Sequence, residues 1–251
     1  MTDVSWIDSH CHSEDDAELD RARAEGVERF VVVGCDLASS QRAVALAGRR
    51  DDVSATVGLH PHEAKHLDAE WDHLVVLLDS PNVVAIGEAG FDLYYRHSEP
   101  SVQAEAFARQ IELANDHDLP LVIHSRDAWD DTFASLERHG VPRRTVFHCF
   151  TGGPVEAQRA LDLGCSLSFS GIVSFKTADE LRAAAAITPA DRLLCETDSP
   201  YLAPVPMRGK PNEPAYLPFV GRALADARGE SVESIATITS ANARSLFDLD
   251  R

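Results

Sequence analysis

Eight short β-branched runs recur along this chain of 251 residues, each bounded by turn residues and each followed by a stretch with helical periodicity. They cover 4–10, 30–35, 53–59, 83–87, 121–124, 145–149, 166–169 and 192–196. Between them lie amphipathic segments such as 102–115, where Ala104, Phe107, Ile111 and Ala114 share one helical face. The runs are almost uniformly apolar, as strands of a parallel sheet covered on both faces must be. An open doubly wound sheet would also alternate strand and helix, but eight units in about 250 residues favour a closed (β/α)8 TIM barrel. One α/β domain over 1–251 is therefore expected. No internal repeat or low-complexity linker interrupts it. The segment 199–218 holds six of the thirteen prolines, yet it carries aromatic residues and reads as a rigid loop of the same domain. The first helix is expected to start at Ser13 as N-cap, with Glu14, Asp15 and Asp16 in its first turn, Arg21 and Arg23 later, and Gly26 just beyond.

Composition narrows the function classes. With 41 acidic against 23 basic residues the net charge is −18, which argues against a protein that coats DNA or a membrane surface. The opening residues show no basic n-region followed by an apolar core, and no apolar run approaches a membrane span, so no leader is expected. The five cysteines form no C-x-x-C pair and are odd in number, which suggests a reduced, cytoplasmic setting.

The histidines and carboxylates fall at the ends of the strand-like runs. His10 and His12 close the first, His60 the third, Glu88 follows the fourth, His124 ends the fifth, His148 lies in the sixth and Asp198 follows the eighth. In an α/β barrel these ends share one rim, where active sites are built. Strand alternation sends His10 and His12 to one side and Cys11 to the other, so the two imidazoles can bind one ion. Glu88 stands in Gly87-Glu88-Ala89-Gly90, where glycines let the backbone pass close to a bound group. A carboxylate can bridge cations roughly 3.5–4 Å apart. Even with His60 set aside, the four histidines His10, His12, His124 and His148 and the two carboxylates exceed one tetrahedral zinc, whereas two ions with open positions account for them, and the mixed nitrogen and oxygen donors suit Mg²⁺, Mn²⁺ or Zn²⁺.

The motifs DSHCH (8–12), GLHPH (58–62), GEAGFD (87–92), IHSRDA (123–128), HCFTG (148–152), ETDSPYL (196–202) and RGKPNEP (208–214) resemble those of the TatD family of metal-dependent deoxyribonucleases. The resemblance runs essentially end to end and includes 235–247, similar to the family's C-terminal helix. It implies an amidohydrolase-type barrel with an extra C-terminal helix and a two-metal site. His10, His12 and Asp198 would hold one ion, His124 and His148 the other, and Glu88 would bridge them. Many amidohydrolase relatives bridge with a carboxylated lysine, but the Glu88 segment contains none.

The expected reaction is hydrolysis of phosphodiester bonds in DNA, exonucleolytic, on a single-stranded or terminal substrate. Asp198 would orient the attacking water or act as a plain ligand. His60, Arg126, Arg208 and Lys210 are the candidate substrate contacts, each with surface charge or packing as its alternative role. Tyr94 and Tyr95 would stack on bases or pack within a loop. Two other readings stay open: a barrel hydrolase of a small ester, lactone or amide, and a metal-binding interaction protein without turnover.

Overall fold

The computed structural model describes residues 4–250; Met1, Thr2 and Asp3, part of the opening residues in which no leader is expected, and Arg251 lie outside them. In chain order the regular elements are β1 (Trp6–Cys11), α1 (Asp16–Ala24), β2 (Val27–Val32), α2 (Leu37–Ala47), β3 (Val53–Val57), α3 (Leu67–Leu77), β4 (Val83–Asp92), α4 (Pro100–Asp116), β5 (Leu121–Arg126), α5 (Trp129–His139), β6 (Thr145–Phe147), α6 (Pro154–Asp162), β7 (Ser166–Phe169), α7 (Asp179–Ile187), β8 (Leu193–Cys195), α8 (Leu217–Arg228) and α9 (Val232–Phe247). The strands form one eight-stranded sheet in the order β1 to β8. Two compact units make up the chain: β1 to β2 with nearly everything from His148 onward, and Val33 to Phe147 with Leu163–Cys165.

In the first unit β1 runs parallel to β2, and β7 to β8. The segment leaving β8 returns to β1: Asp198 N–H donates to the His10 carbonyl at 3.0 Å and His12 N–H to that of Ser199 at 2.8 Å. A parallel sheet ordered one to eight whose last strand reaches its first is the (β/α)8 barrel the periodicity predicts. The extra C-terminal helix is α9, tied to the chain ahead of β1 by Ser240 Oγ donating to the Ser5 carbonyl at 3.1 Å. Helix α8 packs on β1 at Gly221, where any Cβ would collide with the Trp6 ring.

In the second unit β3, β4, β5 and β6 follow one another in parallel. Their outer core joins Val57, Leu59, Leu67, Leu74, Val83 and Ala106. Of the predicted face of α4, Phe107, Ile111 and Ala114 are buried, but Ala104 is only half-buried, and the stripe takes in Gln103 and Gln110 instead. Their amides satisfy backbone that the sheet leaves open. Gln110 accepts from Leu59 N–H at 2.8 Å and donates to its carbonyl at 3.0 Å. Gln103 accepts from Asp92 N–H at 2.9 Å.

Local details differ from the sequence reading. The N-cap of α1 is Asp15, whose carboxylate accepts from Ala17 N–H at 2.8 Å. Ser13 lies two residues upstream and donates its hydroxyl to Glu18 at 2.5 Å. Strand β4 continues through Glu88 to Asp92, so Glu88 lies within the strand, not after it.

Candidate metal centre

In the first unit, alternation along β1 buries the His10 ring on one side, while Cys11 points its thiol to the Val31 carbonyl at 3.7 Å. His12 follows one residue past the strand and brings its Nε2 to 3.3 Å from that of His10. Asp198 Oδ1 lies 3.4 Å from His12 Nε2 and 3.9 Å from His10 Nε2. Two imidazole nitrogens and a carboxylate oxygen thus face one another within 4.8 Å, a donor set that fits a divalent cation. Burial pushes the Asp198 carboxyl up, but the hydrogen bond from His12 and the neighbouring His148 and His10 hold it below the usual range, so it is ionised.

His148 joins this unit one residue beyond β6, its ring stacked on His10 with centroids 3.8 Å apart and planes 10° from parallel. Its Nδ1 lies 3.3 Å from Glu196 Oε1, which also accepts from Cys149 N–H at 2.6 Å, while Ser168 Oγ donates to the other oxygen. A carboxylate on one ring nitrogen fixes the imidazole and leaves the other nitrogen for an ion. Asp8 does comparable work for β1. Its Oδ1 accepts from Thr197 N–H at 2.9 Å and His10 N–H at 3.3 Å, and Oδ2 pairs with the Thr197 hydroxyl. Burial pushes the Asp8 carboxyl up to about 7, against these hydrogen bonds.

In the second unit Glu88 is the hub. Its Oε1 lies 2.8 Å from His124 Nδ1 and 3.3 Å from His60 Nε2, and these three residues form a second donor group within 4.8 Å. His60 Nδ1 accepts from His62 N–H at 3.1 Å, which places the proton of its neutral ring on Nε2, toward Glu88. Burial lowers the His60 pKa to about 4 and keeps the ring neutral. The glycines beside Glu88 serve the sheet. At positive φ (113° and 142°), Cβ atoms on Gly87 and Gly90 would run into the carbonyls of Val122 and His124 on β5.

Asp92, at the end of β4, is buried and gathers the rest of this group. Its Oδ2 lies 2.9 Å from His62 Nε2 and 3.4 Å from His124 Nε2, and its Oδ1 accepts from the N–H groups of Tyr94 at 3.0 Å and Tyr95 at 2.8 Å. Burial alone would raise this carboxyl; hydrogen bonds from His124, Tyr95 N–H and His62 hold it well below the usual range. Asp8, Glu196 and Asp92 are the positioning residues that the sequence reading missed. Their available signal was spacing, since Asp8 precedes His10 by two residues and Glu196 precedes Asp198 by two.

Of the predicted substrate cations, Arg126 ends β5 with its guanidinium 4.4 and 4.7 Å from the ring centroids of Tyr94 and Tyr95. Arg208 lies over the Phe175 ring at 3.7 Å. Lys210 is exposed in the acid-free stretch 199–212.

A (β/α)8 barrel carrying clustered imidazole–carboxylate donor groups is the architecture of a metal-dependent hydrolase. The model of the family described as TatD related DNase matches residues 7–248, and the chain belongs to that family, whose members hydrolyse ester bonds. It is 42% identical to an uncharacterised metal-dependent hydrolase TatD of Mycobacterium tuberculosis, over 97% of this chain and 98% of that protein. It is 37% identical to the 3′-5′ ssDNA/RNA exonuclease TatD of Klebsiella pneumoniae, over 98% and 97% respectively. Among solved structures, the TatD homologue YjjV of Escherichia coli K12 superposes with a TM-score of 0.93 at 32% identity, covering 98% of this chain and 99% of its own. Among the described residues no helix is long and apolar enough to cross a membrane.

Proposed function

We propose that the protein hydrolyses phosphodiester bonds at single-stranded ends of DNA, working with two divalent cations. The observation that carries this reading is the convergence of His10, His12 and Asp198 in one donor group and of Glu88 with His124 in another. The exonuclease name of the Klebsiella relative supports the choice of substrate. In this reading His10, His12 and Asp198 hold one ion and His124 and His148 the other. The bridging role of Glu88 comes from the family resemblance. When bound, the cations would make water more acidic and offset negative charge developing on the phosphate.

The chain supplies the remainder. Asp198, ionised at neutral pH, orients the attacking water and accepts its proton. His60 donates its Nε2 proton, holding Glu88 in the free protein or a phosphate oxygen when substrate is bound. Arg126, Arg208 and Lys210 grip phosphate oxygens. Glu196 and Asp92 keep the ligand imidazoles oriented.

The test is metal analysis of the purified protein together with cleavage of single-stranded DNA, with and without chelator. Two equivalents of divalent metal are expected, with cleavage abolished by chelator and restored by Mg²⁺, Mn²⁺ or Zn²⁺. Glu88→Ala should lose cleavage and lower the content of both ions. Turnover of small esters or lactones with intact DNA would sink the nuclease reading, and one ion per chain would sink the two-metal part.

A further inference from the structure

We infer that Tyr94, Tyr95 and Arg126 form a stacking platform for an unpaired nucleobase beside the bond to be cleaved. This rests on the nuclease reading above and adds how a strand end is gripped. The two tyrosines follow Asp92 two and three residues on, and remain 59% and 51% exposed although Asp92 itself is buried. Loop packing would cover such rings. Here they are exposed and yet fixed in orientation: the rings stand at 87° with centroids 4.8 Å apart, and Tyr95 runs within 13° of parallel to His97.

Their backbone is fixed as well. Both tyrosine N–H groups donate to Asp92 Oδ1, and the other oxygen of that carboxylate reaches His62 and the candidate ligand His124. One buried side chain therefore ties the platform to the donor group. Arg126 completes it. Its guanidinium lies over both rings, and among the described residues no carboxylate is within ion-pair distance of it. A guanidinium held by ring faces keeps N–H groups directed outward, suited to a phosphate oxygen next to a stacked base.

The chemistry matches an unpaired strand. Every base has a π-face, so such a platform grips ends without sequence preference, and alanine substitution of stacking aromatics elsewhere weakens binding several-fold or more. A paired base has both faces covered by its neighbours and gains nothing from the rings.

The experiment compares a fluorescent octathymidylate with the same sugar–phosphate backbone lacking bases. Both carry phosphorothioate links for binding by anisotropy and ordinary links for cleavage, and both are offered to the metal-loaded protein. The wild type should bind the base-bearing strand about tenfold more tightly. In the double variant Tyr94→Ala, Tyr95→Ala that ratio should fall to near one. In Tyr94→Phe, Tyr95→Phe it should survive, since the rings remain. A wild type without preference, an alanine variant that keeps it, or a phenylalanine variant that loses it equally would overturn the platform. Base-dependent binding without cleavage of the ordinary strand would overturn the nuclease reading and leave the platform standing.

Discussion

A ring nitrogen that turns away from a prospective ion is held in place by a partner, and at His148 and His124 a buried carboxylate stands beside it. Glu196 has no exposed surface and faces His148 Nδ1, so Glu196→Gln keeps the volume and the bond from Cys149 N–H while removing the charge that polarises the ring. Metal affinity should drop by about tenfold or more, read by competition with a chelating dye, while the melting temperature of the metal-free protein barely moves. Equal affinity in the variant would show that Glu196 only packs. Asp8 gives a pH signature. Its folded value near 7 lies above its ordinary 3.8, so between those pH values the folded chain keeps a proton that the unfolded chain has released. Its contribution to stability is full below about 4 and falls as pH rises toward 7, by an amount on the order of a few kcal/mol. Asp8→Asn cannot release a proton and should therefore gain on the wild type between pH 4.5 and 7.5 when urea midpoints of the chelator-treated proteins are compared. A constant difference would place the Asp8 proton elsewhere. The histidines were legible from sequence because they lie at or close to the ends of strands. Their carboxylate partners were not, since burial decides which acid is a partner and which is solvated, and local spacing alone does not report burial.

At the scale of elements, the positions of the strands were readable and their ends were not. β4 is the clearest instance. Gly87 through Gly90 read as backbone beyond the strand that passes close to a bound group, whereas the positive φ of both glycines lets the strand pass close to β5 and continue to Asp92. What looked like loop chemistry around a ligand is a steric requirement of neighbouring strands. The start of α1 shows the same limit, because Ser13, Asp15 and Asp16 are all acceptable caps by residue type and only backbone geometry selects Asp15, extended at φ −88°. Asp15→Ala should therefore cost about 1 kcal/mol in chemical denaturation, as loss of an N-cap does elsewhere. Ser13→Ala removes only its bond to Glu18 and should cost less. The reverse order would restore Ser13 as the cap. On α4 the polar Gln103 and Gln110 break a purely apolar stripe for a reason that sequence periodicity does not contain, namely the open backbone of Leu59 and Asp92.

For the molecule as a whole, a net charge of −18 and a nucleic acid substrate pull in opposite directions unless binding is confined to few phosphates. The barrel class itself was legible because eight strand–helix units in this length admit few alternatives, but the charge total says nothing about where the acids go. Many sit on helices: Asp16 and Glu18 in the first turn of α1, Asp68 and Glu70 in α3, Asp130 and Asp131 in α5 and Asp179 and Glu180 in α7. At those N-terminal turns they suit the helix dipole. The cations proposed to meet substrate are few, Arg126 with Arg208 and Lys210. This makes the salt dependence of binding diagnostic. Single strands release about 0.7 counterion per neutralised phosphate, so three contacts give a slope of log affinity against log salt of about −2. A nuclease that tracks along nucleic acid through a basic groove would show a slope several times steeper. Anisotropy titrations of a phosphorothioate strand from 50 to 300 mM salt would separate the two, and Arg126→Ala should make the slope shallower by somewhat less than one unit. A steep slope that Arg126→Ala leaves unchanged would mean that strand contacts lie on some other surface of the protein, and the assignment of these three cations would fail.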